Sequence, residues 1–215
     1  VIDAKNKLTI KTGNDTNLIG GQLKGNTVNM DVGNNLNIQS LQDTDDYDYE
    51  KISASVSGSA GFGGFSANGS LSSTDIDSKC ASVTGQSGIF AGKGGFDIKV
   101  GNNTDLKGAV ISSEAKDTSK NRLDIGTISF SDIKNKAEFN VSHILVSGGT
   151  GGASAQMTNH NSEKDSSITH LAIEQGQLII RNQDKQQQDI NALSQDTENA
   201  NHTLKPIFVM AQLAQ

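Results

Sequence analysis

The 215 residues contain one cysteine, one proline and no tryptophan, and two Tyr with seven Phe are the only other large aromatics. A lone Cys80 cannot close an intramolecular disulfide, so no covalent framework holds the chain. No histidine or basic cluster flanks it to stabilise a thiolate, and it reads as a small apolar filler. So few aromatics, with only 33% hydrophobic residues, exclude a thick layered helical core. Lys and Arg number 18 against 24 Asp and Glu, and they are scattered. That leaves no electrostatic footprint for nucleic acid, and none is expected as a partner. No apolar run approaches the roughly 20 residues of a membrane-spanning helix. Val1 in place of Met points to a piece of a longer polypeptide.

Motifs of chemistry are lacking as well. There is no nucleophile elbow, Walker loop or dinucleotide fingerprint, and no Lys-Ser/Thr follows the glycines at Gly61, Gly63 and Gly64. His143, His160, His170 and His202 show no metal-ligand spacing with one another, with Cys80 or with a carboxylate pair. The acidic run Asp43–Glu50 lacks the glycine and distant glutamate of a calcium loop. Asp97, Asp105, Asp124 and Asp132 alternate with aliphatic residues, as plain outward positions of strands do. The sequence therefore assigns no catalytic, cofactor-binding or metal-binding residue, and no enzyme activity.

What the chain has is glycine, 23 in all, much Asn, Ser and Thr, and a repeat. Leu8-Thr-Ile-Lys-Thr-Gly-Asn-Asp-Thr-Asn-Leu18 matches Phe96-Asp-Ile-Lys-Val-Gly-Asn-Asn-Thr-Asp-Leu106 in residue type, and a third copy opens at Leu178. Internal repetition points to a solenoid. Apolar pairs at Leu8/Ile10, Leu18/Ile19, Val28/Met30 and Leu36/Ile38 place equivalent positions 20 residues apart (28 − 8 and 38 − 18). A parallel β-helix needs that spacing, because each coil must return the chain to the same face one strand spacing further on. Asn and Gly between the pairs serve the corners. The expected fold is all-β, a parallel β-helix over 1–183.

Two Gly/Ser-rich β-hairpin excursions are expected to leave the coils, at about 49–83 and 139–170, where small residues alternate around glycine clusters. From 184 the period changes. Ile190, Leu193, Thr197, Ala200, Leu204, Ile207 and Ala211 recur at threes and fours, which predicts a helical segment over 184–215, kinked by Pro206 and capping the last coil.

Three stretches carry a family resemblance: Asn35-Leu-Asn-Ile-Gln-Ser-Leu-Gln-Asp-Thr44, Gly88-Ile-Phe-Ala-Gly-Lys-Gly-Gly-Phe-Asp-Ile98, and Arg181–Asn201 with Leu204 and Pro206-Ile-Phe208. They resemble the filamentous-haemagglutinin repeat region of two-partner-secreted exoproteins of Gram-negative bacteria, above all contact-dependent growth inhibition effectors. The third is similar to the end of the second repeat block, before the pretoxin region. The resemblance implies a right-handed β-helix and a secreted, cell-surface location, extending to the target cell's outer membrane or periplasm during delivery. It implies as partners an outer-membrane two-partner transporter during export, the target cell's outer membrane or its proteins, and a C-terminal toxin on the same chain. Its implied role is carrying that toxin across the membrane of a neighbouring cell; a structural stalk or adhesin segment is the alternative.

Overall fold

Leu8 lies beside Val28, and Leu18 beside Ile38, in parallel strands, so the twenty-residue offsets are realised as hydrogen-bonded register. The computed structural model describes residues 1–207. Fifteen strands run through them: β1 (Ile2–Thr12), β2 (Thr16–Ile19), β3 (Gln22–Val32), β4 (Leu36–Gln39), β5 (Asp43–Gly61), β6 (Gly64–Ser82), β7 (Gly88–Val100), β8 (Asn103–Lys107), β9 (Val110–Ser113), β10 (Arg122–Ile125), β11 (Thr127–Ser131), β12 (Ile133–Gly149), β13 (Gly152–Thr169), β14 (Ala172–Ile173) and β15 (Gln177–Ile180). The chain divides into two compact units. One comprises Val1–Asp43, Val83–Asn135 and Ser167–Thr203; the other comprises Thr44–Ser82, Lys136–Ser166 and, among the described residues, 204–207.

The first unit has a β-helix-like architecture of parallel sheets. One sheet runs β1-β3-β7-β10-β15, with β9 and β14 attached to it through β7, and the other runs β11-β8-β4-β2. Identical backbone positions stack into columns. Ile10, Met30, Ile98, Leu123 and Leu178 form one of them, and Leu18, Ile38, Leu106 and Phe130 another. The repeated segments of the sequence are thus the stacked coils. Most of these side chains belong to one aliphatic core. Each contributes roughly 1.5–3 kcal/mol on burial, too little for a lone coil to offset its ordering entropy, so stability comes from stacking.

Polar side chains stack too. Within the strands Asn37 donates to Asn17, its ladder partner, at 2.8 Å. At the corner Asn35 accepts from the Asn102 side chain at 2.9 Å and the Asn103 backbone at 3.2 Å, so its amide satisfies the turn of the neighbouring coil. One corner consists of Gly13, Gly33 and Gly101. A Cβ on Gly33 would sit 2.1 Å from the Gly13 carbonyl oxygen, and one on Gly101 would sit 2.0 Å from that of Gly33. Here glycine is required by the close approach of backbone to backbone.

Over 184–207, the described part of the expected helical segment 184–215, a helix is not what forms. Among the described residues there is no α-helix, only three-residue 3₁₀ turns, of which Gln183–Lys185 and Ile190–Ala192 lie in this stretch. The remainder of the expected segment, 208–215, including Ala211, lies outside the described residues. The reason is an open sheet edge at β11. Gln186 Oε1 accepts from the Ile128 N–H at 2.8 Å while its Nε2 donates to the Ile128 carbonyl at 2.9 Å. Gln188 does the same to Phe130, at 2.8 and 2.9 Å. Two side-chain amides, two residues apart, stand in for a strand and protect the edge. A helix would have withdrawn them. The apolar stripe is divided between two other tasks: Leu193 packs on the aliphatic core, and Ala200 is buried with Val110 and Ala172.

The second unit is a sheet in the order β13-β12-β6-β5. Strands β6 and β12 pair antiparallel from Ala81↔Lys136 to Asn68↔Gly149. Two-residue turns, Phe62-Gly63 and Thr150-Gly151, join β5 to β6 and β12 to β13. The acidic run Asp43–Glu50 is the extended start of β5. Ile76, Phe139 and Val141 make a small core here, with Ile207 packed on it.

Candidate functional site

Every residue of β5 is exposed, and among the described residues the long sheet of the second unit carries the most distinctive surface. Side chains alternate between its faces. On one face serines line up across all four strands: Ser55 bonds Ser70 at 2.6 Å, Ser70 stands in register with Ser147, and Ser147 bonds Ser154 at 3.0 Å. Ser59 and Ser66 repeat the pattern at 2.7 Å. Hydroxyl pairs between facing strands fix register without charge. A hollow of about 590 Å³ lies over this row, lined by Ser55, Asn68, Ser70, Ser147 and Ser154 with the neighbouring glycines.

The opposite face is apolar towards the turns and acidic further back. Leu71 stands beside Val146, and Ile52 and Met157 lie on the outer strands of the same face. Behind them Asp75 and Asp77 of β6 stand in register with Ser142 and Asn140 of β12. Asp48 of β5 hydrogen-bonds Asp77 and so holds its carboxyl above the usual carboxylate range; burial and the Asp75 charge add to the rise, against Lys79. The folded chain therefore binds this proton more tightly than the unfolded chain. Stability contributed by the site is gained as pH falls through the raised value and is absent at neutral pH. Asp77→Asn is expected to raise the urea midpoint at about pH 7 and to flatten its acid dependence. An unchanged profile would mean that the two carboxyls do not share a proton.

The residues weighed on sequence are dispersed. Asp124 is bonded by Arg122 at 3.0 Å and by Arg181, which also grips the Val100 and Gly101 carbonyls. Asp97 lies 4.0 Å from Arg122, and Asp105 lies 3.5 Å from Lys107. Asp132 accepts from the Leu171 N–H and meets His170 at 3.0 Å, and the His170 and His202 rings are edge-to-face at 6.1 Å. This histidine–carboxylate pairing was missed on sequence because its members are 38 residues apart. His143 bonds Thr74 at 2.7 Å, and His160 is exposed. Burial, and then the Asp45 charge, push the Cys80 thiol up, so it stays protonated as a filler should. Among the described residues no three His, Cys, Asp or Glu side chains group as metal ligands do.

One residue that sequence reasoning did not single out is Asn135, fully buried in the first unit. Its Oδ1 accepts from the Val83 N–H at 3.0 Å and Gln42 Nε2 at 3.1 Å. Its Nδ2 donates to Ser167 Oγ at 3.1 Å, Thr169 Oγ1 at 2.9 Å and the His202 carbonyl at 3.3 Å. Val83, Asn135 and Ser167 are residues at which the chain passes between its two units.

Comparison with known proteins places the chain in context. Residues 1–54 match the hemagglutinin repeat family. Toxin CdiA of Escherichia coli is 45% identical over 226 residues, covering 96% of this chain and 7% of that protein. Deoxyribonuclease CdiA of Dickeya dadantii (strain 3937) is 43% identical, and tRNA nuclease CdiA of Escherichia coli (strain NC101) is 40% identical, with the same coverage of each chain. The chain thus spans about 7% of the length of these relatives. No solved structure matches it.

Proposed function

We propose that this chain, which carries a hemagglutinin repeat and is similar along 96% of its length to CdiA toxins, is a non-catalytic segment of a secreted contact-dependent growth inhibition effector. Its role is to help carry a C-terminal toxin across the outer membrane of a target cell. One observation carries the reading. Relatives named for a deoxyribonuclease, a tRNA nuclease and a 16S rRNA endonuclease share this segment at 40–44% identity. A segment held in common by proteins of different toxic activities serves what those proteins have in common, and delivery is such a task.

In this reading residues 1–183 are a right-handed β-helix interrupted by two hairpins, and the residues from 184 lead towards a pretoxin region. Export proceeds through an outer-membrane transporter, and the long uncharged hairpins are the part that engages the target envelope. The run from Ile52 to Ser73 contains no Asp, Glu, Lys or Arg, and neither does the run from Ile144 to Ser162. Strands of about ten residues, apolar on one face and polar on the other, have the length and alternation of membrane-embedded β-structure.

The test is to replace Thr44–Ser82 and Lys136–Ser166 by short turns in the full-length effector, and to measure killing and attachment separately. Killing is expected to be lost with attachment retained. Unchanged killing would reject the delivery role, and loss of attachment would favour a stalk or adhesin segment.

A further inference from the structure

Strands β11, β14 and β15 are the last members of their ladders in the first unit, and the chain that follows them covers the edges of only two. Residues 183–203 form a strap across this end of the coils. Its Gln186 and Gln188 amides hold the β11 edge. Further on, the Ser194 carbonyl accepts from the Ile173 N–H of β14 at 2.9 Å, and the Ala200 carbonyl accepts from the His170 N–H at 2.7 Å. Strand β15 has no such cover. Gln177 and Arg181 turn their N–H groups to the carbonyls of Asn121 and Ile125, at 2.8 and 2.9 Å, so by alternation Leu178 turns its N–H and carbonyl the other way. Among the described residues no strand lies beyond them, and the edge is open for pairing.

A groove of about 440 Å³, within the range of ligand clefts, lies between β15 and the strap. Ile173, Glu174, Gly176, Leu178, Ile190 and Leu193 line it. Its depth originates in the repeat. Leu8, Val28 and Phe96 stand side by side in one column of the sheet. One place before the pairs Asp97↔Arg122 and Arg122↔Gln177, the same column continues to Asn121 and Gly176. It therefore ends in a residue without a side chain. A Cβ on Gly176 would sit 2.5 Å from the Asn121 Cβ and carbonyl oxygen, so the glycine is fixed by packing. Room for a large side chain is left over it, beside Leu193 and an Ile190 that is 40% exposed.

We propose that β15 receives one further strand, an extended segment of another polypeptide running parallel to it. That segment places a large apolar residue over Gly176, a second over Leu178, and a lysine or arginine beside Glu174. The outward N–H and carbonyl of Leu178 call for a strand, and the rest of this sheet is parallel. Glu174 alone is charged among the described residues lining the groove, which selects a cation. The strap sets the size of the partner. A whole coil of a second copy would need the β11 and β14 edges that the strap holds, whereas a single strand needs neither. The described chain after the strap is engaged elsewhere: Leu204 donates to Ser82 Oγ at 2.8 Å, and Ile207 packs on Ile76, Phe139 and Val141. Strand capture goes beyond the delivery reading and does not depend on it, since it is measured on the chain alone.

The probe is an acetylated and amidated peptide with the sequence of Lys5–Thr12, whose Leu8 and Ile10 head the columns that end in Gly176 and Leu178 and whose Lys5 and Lys7 reach towards Glu174. Titration calorimetry against the 215-residue chain is expected to show one-to-one binding. N-methylation of the peptide at Lys11, whose N–H would meet the Leu178 carbonyl, should weaken binding by about 10-fold, and N-methylation at Ile10, whose N–H points away from β15, should not. Asn191→Trp, on the strap side of the groove, fills it and should abolish binding. Glu174→Gln, which can still accept from Thr197, should weaken binding about 3-fold at low salt and not at high salt. Far-UV circular dichroism reports whether each variant keeps its strands. Absence of binding, equal binding of the two methylated peptides, or binding undiminished by Asn191→Trp would overturn the proposal. So would an intact chain that itself associates until Asn191→Trp stops it, which would make a second copy the occupant.

Discussion

Replacing Gly101 by alanine is expected to destabilise the first unit by about 3 kcal/mol, at the upper end of what overpacking costs. The added carbon would sit 2.0 Å from the Gly33 carbonyl oxygen. That obstacle is backbone, held in turn by the ladder: the Gly101 N–H bonds Val32 O, and the Gly33 N–H bonds Thr12 O, both at 2.8 Å. Neither coil can yield without breaking the stack. Gly13, in the same Thr/Val-Gly-Asn corner one coil earlier than Gly33, has no atom within 4 Å of its missing Cβ. Gly13→Ala should therefore change stability by no more than about 0.5 kcal/mol. Urea unfolding of the two variants beside the parent decides it; equal losses would show that conformational freedom, rather than coil spacing, keeps these glycines.

Asn135→Leu is expected to cost about 3 kcal/mol. It preserves volume approximately but leaves the Val83 N–H, on a residue with no exposure, without its acceptor, and strips donors from Ser167, Thr169 and the His202 carbonyl. Asn135→Asp should be as damaging at neutral pH, because its carboxylate would face the His202 carbonyl and carry a buried charge. Acid distinguishes the two. Burial raises the pKa of the introduced carboxyl above its unfolded value, so the aspartate variant regains stability as pH falls and the acid becomes a donor, while the leucine variant gains nothing at this position. Parallel loss in both at all pH values would show that the hydrogen bonds of Asn135 are not what holds Gln42, Val83 and Ser167 together.

The coils were legible in the sequence because their register is periodic: pairs such as Leu8/Ile10 and Val28/Met30 repeat at the interval at which the strands stack. The stretch 184–207 was misread because Ile190, Leu193, Thr197 and Ala200 satisfy a helical period by coincidence. The informative signal was the period-two spacing of Gln186 and Gln188, whose amides reach the β11 edge. Asn135 left no trace, since its partners come from separate segments that only the fold brings together. The alternation of Ile52, Ala54 and Val56 announced a strand. That Leu71 meets Val146 depends on inter-strand register, which no single strand encodes.

The interleaving of the two units also dictates a timetable for folding. A chain appearing from its amino end can pair β1 with β3 and β2 with β4 as soon as both are available, across separations of about twenty residues. The next neighbour, β7, follows only after Thr44–Ser82 has been paid out, a loop of roughly 40 residues whose closure adds little to the thermodynamic cost but delays the contact. Strand β6 must likewise wait through the whole second set of coils for β12, its antiparallel neighbour. Each unit is thus held half-built while the other advances. The slow step expected in refolding is the meeting of β6 with β12, the pairing that closes the longer of these two intervals.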